Sequence, residues 1–184
     1  MDQVKPIAPA PPAAAVRPPC TVEAEMVRTF NELREELVGT LFYLLGNRED
    51  ALDAAQDTFM KCWRSQEALA EVKNLRAWIF RVALNTATDL QRSAWRRKVK
   101  PFSEGDIMHP ISTDAPYLTI EQKEQLERLS LALMDLRKEE KEVFLLRQNG
   151  ELTYEEIAEM RHQPIGTVKT QMRSALQKLK KILN

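Results

Sequence analysis

A set of acidic side chains recurs at helical spacing near the middle of the N-terminal half. Asp50, Asp53 and Asp57 lie three and four residues apart, with Gln56 beside them. They are spread along one solvent-facing side of the predicted helix and do not converge on a pocket, which argues against acid–base catalysis. Like charges one turn apart repel mildly, so an acidic face of this kind favours a basic protein partner over a merely solvated surface.

A second set combines amide and guanidinium groups. Asn85 and Arg92 lie two helical turns apart, and Arg96 follows one turn later. Asn pairs with base edges, and Arg pairs with bases or phosphates. Lys73 and Asn74 precede this helix in a loop that could hold an unstacked base. The arrangement predicts contact with single-stranded or melted DNA.

The C-terminal stretch is purely basic, because residues 161–184 contain six Lys or Arg and no Asp or Glu. Thr153 and Glu156 form a capping-box pattern, and Pro164 cannot continue a helix, so two helices joined by a turn are predicted. A solvated hairpin is the alternative, but such a surface normally mixes both signs of charge. The pattern favours a helix-turn-helix that enters the major groove. The second helix is expected to expose Thr170, Arg173, Ser174, Gln177 and Lys181.

Apolar periodicity predicts the helices that must position these residues. One long helix is expected over residues 22–44 and ends at Gly46, a second begins at Arg48, and a third covers about 74–98. The expected core positions are Met26, Phe30, Leu33, Leu37, Leu41 and Leu44 on the first, Ala51, Ala54, Ala55, Thr58, Phe59, Cys62 and Trp63 on the second, and Trp78, Ile79, Val82, Ala83, Thr86 and Leu90 on the third. In the last helix, Val168, Met172, Ala175, Leu176, Leu179, Ile182 and Leu183 are expected to form the apolar face.

Composition divides the chain into four parts. Residues 1–21 form a Pro/Ala-rich tail expected to be disordered, and residues 100–120 form a linker with prolines and no periodicity. Between and after them lie helical domains at 22–99 and 121–184. The predicted fold is therefore all-α, with two small helical domains joined by a flexible linker, and the C-terminal domain is a helix-turn-helix.

Several function classes are excluded by composition. The 184 residues carry zero formal net charge, and the two cysteines and two histidines lack metal-ligand spacing. No metal, cofactor or catalytic constellation is expected, so the chain is not predicted to be an enzyme. No apolar run is long enough for a membrane span, and the N-terminus lacks the apolar centre of a secretion signal. A cytoplasmic protein without membrane insertion is expected.

Three blocks in this order resemble the extracytoplasmic-function (ECF) sigma factors of bacterial RNA polymerase, which belong to the sigma-70 family. They are GNREDALDAAQDTFMKCWR (46–64), NLRAWIFRVALNTATDLQR (74–92) and EVFLLRQNGELTYEEIAEMRHQPIGTVKTQM (142–172). The resemblance covers about residues 22–183. It implies a sigma factor that binds core polymerase and directs promoter-specific transcription initiation, with region 2 in the first domain and region 4 in the second.

The resemblance also implies roles for individual residues. The clamp helices of core RNA polymerase would be bound by Asp50, Asp53, Gln56 and Asp57. Recognition and melting of the −10 promoter element would involve Lys73, Asn74, Arg76, Asn85, Asp89, Arg92 and Arg96. Thr167, Lys169, Thr170 and Arg173 would contact the −35 element in duplex DNA. The surface of residues 139–146 would dock on the polymerase flap, and an anti-sigma factor is an implied partner because sigma factors of this type are commonly held inactive by one.

The chain departs from the family pattern at several positions. Leu52 stands where an acid is usual, and Arg137 stands where a proline is usual. The turn contains Arg161-His162-Gln163 in place of Leu-Gly-Ile, and His162 would have to adopt a positive φ. Gln171 and Ser174 replace residues that are commonly Arg, so two DNA contacts are expected to be missing from the last helix.

Two other hypotheses fit parts of the sequence. A stand-alone LuxR-type regulator has a similar C-terminal helix-turn-helix and binds duplex DNA as a dimer, but it has no place for the acidic helix or the Asn85/Arg92 helix. An all-helical enzyme or scaffold could use the Asp53/Asp57 cluster as a site, but this hypothesis requires a convergent pocket.

Overall fold

The computed structural model describes residues 19–65, 69, 71–97 and 119–183. These residues are helical apart from short connections, and no strand occurs among them, which confirms the all-α prediction. The N-terminal helices are α1 (Pro19–Glu32), α2 (Arg34–Leu45), α3 (Arg48–Arg64) and α4 (Leu75–Arg97). The C-terminal helices are α5 (Ile120–Met134), α6 (Lys138–Gln148), α7 (Tyr154–Arg161) and α8 (Ile165–Leu183). Most of the predicted tail and linker lies outside the described residues.

The single helix predicted over residues 22–44 is instead two helices that meet at Leu33. Leu33 has φ −92° and ψ −2°, yet its N–H donates to Thr29 and its carbonyl accepts from Leu37, so helical hydrogen bonding continues across the break. The first helix also begins earlier than predicted, at Pro19, because proline is tolerated in a first turn, where no N–H partner is needed. The predicted apolar stripe is otherwise confirmed, with Met26, Phe30, Leu33, Leu37 and Leu41 buried.

Small residues let α3 approach its neighbours closely. Ala51, Ala54 and Ala55 are buried where α3 packs against α2 and α4. Gly46 ends α2 with φ 78°, as predicted, and the Asn47 side chain accepts a hydrogen bond from the N–H of Glu49 to start α3. Phe80 of α4 is fully buried and was missing from the predicted core.

Trp63 was predicted to be a core residue, and this prediction is wrong. Its side chain is 37% exposed in the last turn of α3. The indole stacks on Phe59 and lines an open groove beside Val27 and Asn31 of α1. Apolar periodicity indicated which side of α3 faces the protein, but it could not show where the packing partners end.

In the C-terminal domain, α8 packs against α5, α6 and α7. Val168, Met172, Ala175 and Leu179 form its buried face, as predicted. Leu176 and Ile182 were predicted on the same face but are 46% and 45% exposed, because both lie at the edge of the stripe.

The two domains contact each other through α2 and the C-terminal helices. The hydroxyls of Tyr43 and Ser130 are 2.9 Å apart and buried, and Asn149 Nδ2 donates to Thr40 Oγ1 at 3.0 Å. Burial raises the pKa of Tyr43, and the hydrogen bond to Ser130 opposes this shift only in part. Two buried hydroxyls that satisfy each other define a specific contact, since either one alone would leave a buried polar group without a partner.

Candidate polymerase- and DNA-binding surfaces

The acidic side chains of α3 are all exposed on one face. Asp50, Asp53, Gln56 and Asp57 point away from the core, while the alanines of the opposite side are buried. None of the three carboxylates has an ion pair among the described residues. Leu52, which replaces a usual acid, is 40% exposed in the same face. This face therefore offers uncompensated negative charge beside apolar surface, a combination suited to a basic protein partner.

The middle of α4 presents a polar, mainly basic face. Asn85 and Arg92 are exposed, and neither side chain has a hydrogen bond or ion pair within the described part of the chain. Asp89 is also exposed but lies 3.8 Å from Lys61 Nζ, which donates to Thr86 Oγ1 at 3.0 Å. Lys61 thus adds a cation from α3 to this surface, and sequence reasoning missed it because the contact joins two helices. The backbone of Arg96 lies in the last turn of α4.

The predicted base-capturing loop does not stand free, although Lys73 in it is exposed. Asn74 caps α4, because its Oδ1 accepts the N–H of Ala77 at 3.0 Å, and its amide donates to Glu156 of α7. Arg76 bonds with Glu151 Oε2 at 3.1 Å and the Asn149 carbonyl at 3.3 Å. In this conformation, two residues predicted to contact DNA are held by the C-terminal domain.

The turn between α7 and α8 has the geometry of a helix-turn-helix. Thr153 and Glu156 form the predicted capping box at the start of α7. His162 ends α7 in the left-handed conformation with φ 51°, so it adopts the positive φ that the sequence required of it. Pro164 precedes α8, and its carbonyl accepts from the N–H of Thr167 at 2.9 Å.

The outer face of α8 carries the predicted −35 residues. Thr167, Lys169, Thr170 and Arg173 are all exposed. Thr170 Oγ1 donates to the Gly166 carbonyl, and the side chains of the other three have no hydrogen bond or ion pair among the described residues. Four adjacent polar side chains on the second helix of a helix-turn-helix can meet base edges and phosphates together.

One further prediction about α8, the exposure of Ser174, needs correction. Ser174 was expected on the exposed face, but it is half-buried, and its hydroxyl donates to Glu140 Oε1 at 2.7 Å. Gln171 is also half-buried, and its Oε1 accepts from Arg161 Nη1 at 3.2 Å. Both side chains face α6 and α7, so the direction of these positions does not favour a DNA contact, even for an Arg.

Two carboxylates of α6, Glu140 and Glu142, have pKa values that are shifted in opposite directions. Burial raises the pKa of Glu140, but hydrogen bonds from Lys178, Ser174 and the Arg137 N–H outweigh it and bring that pKa below its ordinary value. For Glu142, burial dominates and raises the pKa, although Arg161 and Lys138 oppose it. Of residues 139–146, predicted to dock on the polymerase flap, only Glu139 is fully exposed.

The described residues were also compared with what a metal site, a membrane span or a reactive cysteine requires. Among the described residues, no group of three or more His, Cys, Asp or Glu side chains could hold a metal ion. No helix in the same part of the chain is long and apolar enough to cross a membrane. Burial raises the pKa of the Cys62 thiol to about 12, so this cysteine remains protonated and unreactive near neutral pH.

Known proteins resemble this chain over both domains. The family description "Sigma-70 region 2" matches residues 29–97, and "Sigma-70, region 4" matches residues 126–179. RNA polymerase sigma factor YlaC of Bacillus subtilis is 27% identical over 152 residues, covering 83% of this chain and 88% of YlaC. The ECF RNA polymerase sigma-E factor of Haemophilus influenzae is 28% identical over 133 residues, covering 68% of this chain and 70% of that factor.

A solved structure shares the fold. The sigma factor RpoE from Bartonella quintana, crystallised with the anti-sigma factor NepR, superposes with a TM-score of 0.68 at 23% identity, over 89% of this chain and 96% of RpoE. The two regions are matched in the order in which the acidic helix, the Asn85/Arg92 helix and the helix-turn-helix occur. The chain therefore belongs to the ECF sigma factors of the sigma-70 family, the factors that direct RNA polymerase to promoters.

Proposed function

We propose that the chain divides promoter recognition among three helices while it is bound to core RNA polymerase. In this scheme α3 binds the clamp helices through Asp50, Asp53, Gln56 and Asp57. The α4 segment recognises and melts the −10 element, and α8 contacts the −35 element. The observation that carries the proposal is that three helices each expose polar residues opposite a buried face: the acidic residues of α3, Asn85 and Arg92 of α4, and the −35 residues of α8.

The −10 role rests on the chemistry of α4 and the loop before it. Asn85 and Arg92 combine an amide and a guanidinium on one exposed face, which suits base edges and phosphates. Lys73, Asn74, Arg76, Asp89 and Arg96 complete the proposed −10 set. Asn74 and Arg76 would have to exchange their present partners in the C-terminal domain for DNA.

The partners follow from this division of roles. Core RNA polymerase binds through its clamp helices and its flap, and promoter DNA is bound both as duplex and as melted strand. An anti-sigma factor is a further partner, as NepR is for RpoE of Bartonella quintana. The protein acts in the cytoplasm as a regulatory subunit and carries out no catalytic step of its own.

A stand-alone regulator of duplex DNA is less well supported. It would use α5–α8 but would leave the acidic face of α3 and the Asn85/Arg92 face of α4 without a role. The match to region 2 covers those two helices as well.

The experiment is in vitro transcription with the full chain and core RNA polymerase on a promoter library randomised at both elements. The holoenzyme should yield transcripts enriched in one −10 and one −35 motif, and core enzyme alone should yield none. A chain that stimulates no transcript but protects two-fold symmetric duplex sites without polymerase would contradict the proposal and favour the stand-alone regulator.

A further inference from the structure

The polar residues of α8 form two stripes on different sides of the helix. Gln171, Ser174 and Lys178 are three and four residues apart, so they share one face, and all three are half-buried, Gln171 against Arg161 of α7 and the other two against Glu140 of α6. Lys169, Thr170 and Arg173 form the other, outer stripe, and all three are exposed. The resemblance to the family implied that positions 171 and 174 contact DNA. In the structure both belong to the first of these stripes, which we call the inner stripe.

The first anchor of the inner stripe is Glu140 of α6. Its side chain is only 8% exposed, and Lys178 Nζ donates to its Oε2 at 2.6 Å. Ser174 Oγ donates to the other carboxylate oxygen at 2.7 Å, and the Arg137 N–H donates to Oε2 at 3.3 Å. Both oxygens of a nearly buried carboxylate are therefore satisfied, two of the three bonds by residues one turn apart on α8.

The second anchor is Glu142, which reaches α8 through Arg161 of α7. The two side chains are 13% and 10% exposed, and Arg161 Nη2 lies 3.1 Å from Glu142 Oε2. Arg161 Nη1 donates to the Glu139 carbonyl at 3.0 Å and to Gln171 Oε1 at 3.2 Å. One guanidinium therefore ties α6, the end of α7 and α8 together just before the turn.

These anchors act on the rotation of α8 about its own axis. Successive helical residues are about 100° apart, so a small rotation would turn the outer stripe away from a bound groove. The apolar contacts of Val168 and Ala175 set the depth of packing but are non-directional, whereas hydrogen bonds to charged groups are short and directional. The carboxylates of α6 are thus placed to fix the direction in which Arg173 and its neighbours point.

We propose, on the basis of −35 recognition by α8, that Gln171 and Ser174 are positioning residues that act through Arg161 and Glu140. Base and phosphate contacts then come from the outer stripe. The guanidinium that family members commonly carry at position 171 is supplied here from position 161, at the end of α7. The two departures from the family pattern at 161 and 171 are consequently parts of one arrangement.

The geometry provides a swap that tests this arrangement. Because Gln171 contacts the guanidinium that holds Glu142, an Arg at position 171 can reach the same carboxylate. The full chain with core polymerase would be assayed as wild type, Arg161→Leu and the double variant Arg161→Leu/Gln171→Arg. The readout is the ratio of transcripts from the −35 motif selected by the wild type to transcripts from a scrambled −35 sequence. A thermal melt of each chain would be recorded in parallel.

Arg161→Leu should lower the −35 ratio about tenfold, comparable to the effect of mismatched base pairs. The double variant should recover most of the ratio and of the melting temperature, because the buried carboxylate regains a guanidinium. The double variant should also leave the salt dependence of promoter binding as in the wild type, because its guanidinium at position 171 pairs with Glu142 and not with a phosphate. Arg173→Gln should reduce that slope by about 1, as expected for the loss of one phosphate contact.

Two outcomes would overturn the inference. One is a double variant no better than Arg161→Leu in the −35 ratio, and the other is a double variant whose salt slope is steeper than that of the wild type by about 1, which would mean that the new guanidinium contacts a phosphate. Either result, with a wild-type holoenzyme that still selects a −35 motif, rejects the positioning role alone. A wild-type holoenzyme that selects no −35 motif rejects the proposed −35 recognition on which the inference rests.

Discussion

The two helices proposed to contact DNA, α4 and α8, differ in how their polar residues are engaged within the protein. On α8, the outer residues Lys169 and Arg173 are exposed and have no ion pair in the described part of the chain. At the start of α4, Asn74 and Arg76 are already bonded to the C-terminal domain. The surface proposed for the −35 element is thus ready to bind, whereas part of the −10 surface must first exchange partners.

This difference parallels the chemistry expected of the two helices. A duplex reader needs a rigid face whose direction is fixed in advance, and α8 is bonded directly to Glu140 of α6 and, through Arg161, to Glu142. A segment that captures melted DNA must release one set of polar contacts to gain another, and the Glu151 carboxylate that pairs with Arg76 is 72% exposed. Exposed ion pairs contribute little, so exchange costs little free energy.

The largest expected effect comes from the surface on which both helices depend. Asp53→Asn/Asp57→Asn should weaken binding of core polymerase about 30-fold, because two carboxylates facing a basic partner are neutralised. Recognition of both promoter elements should fall together, and titration of labelled chain with core enzyme measures the loss. The matched control is Glu124→Gln/Glu127→Gln, which neutralises two exposed carboxylates of α5. Equal weakening by the control pair would show that general charge, and not the α3 face, is responsible.

The next effect should separate the two helices. Asn85→Ala/Arg92→Ala should reduce promoter opening about tenfold or more, because at least one base contact worth about 1–3 kcal/mol is lost. Binding of core polymerase and the preference for the −35 motif should be retained. Permanganate footprinting of melted thymines on the selected promoter measures opening, with Arg128→Ala on α5 as the control. Unchanged opening in the double variant would remove α4 from the proposed scheme.

A pH experiment tests how firmly α8 is anchored. The folded-state pKa of Glu140 is lowered, so its contribution to stability is present above its unfolded pKa and is lost as pH falls through the folded value. The Glu140→Gln variant should be about 1 kcal/mol less stable near neutral pH, and this deficit should shrink below about pH 5. Urea unfolding at a series of pH values measures it. A deficit that stays constant down to pH 3 would contradict a role for the ionised carboxylate.

The smallest effect concerns the contact between the domains. Glu151→Gln should increase binding of the free chain to a single-stranded oligonucleotide with the selected −10 motif about threefold, because Arg76 loses an exposed ionic partner. Fluorescence anisotropy measures the affinity, and Glu155→Gln, also exposed, is the control. Affinity equal to that of the wild type would indicate that Arg76 is not withheld from DNA by this contact.

Local chemistry made most of the helix ends predictable. Gly46 and the Thr153/Glu156 capping box act within one turn, so the sequence alone identified them. The inward orientation of Ser174 was not predictable, because it depends on Glu140, which lies 34 positions earlier in the chain. The hydrogen bond from Asn74 to Glu156 was not predictable either, since it joins residues 82 positions apart. Periodicity reports which face of a helix is apolar, and it carries no information about which distant polar group the other faces meet.

The division of α8 into an inner and an outer stripe also bears on how promoter preference can change during evolution. Substitutions at Thr167, Lys169, Thr170 and Arg173 alter side chains that are exposed and contribute little to the packed core. Duplicated copies of such a gene could therefore diverge in the promoters they recognise while the domain remains folded. Gln171 and Ser174, by contrast, would change only together with their partners on α6 and α7, so paired substitutions are expected there across related chains.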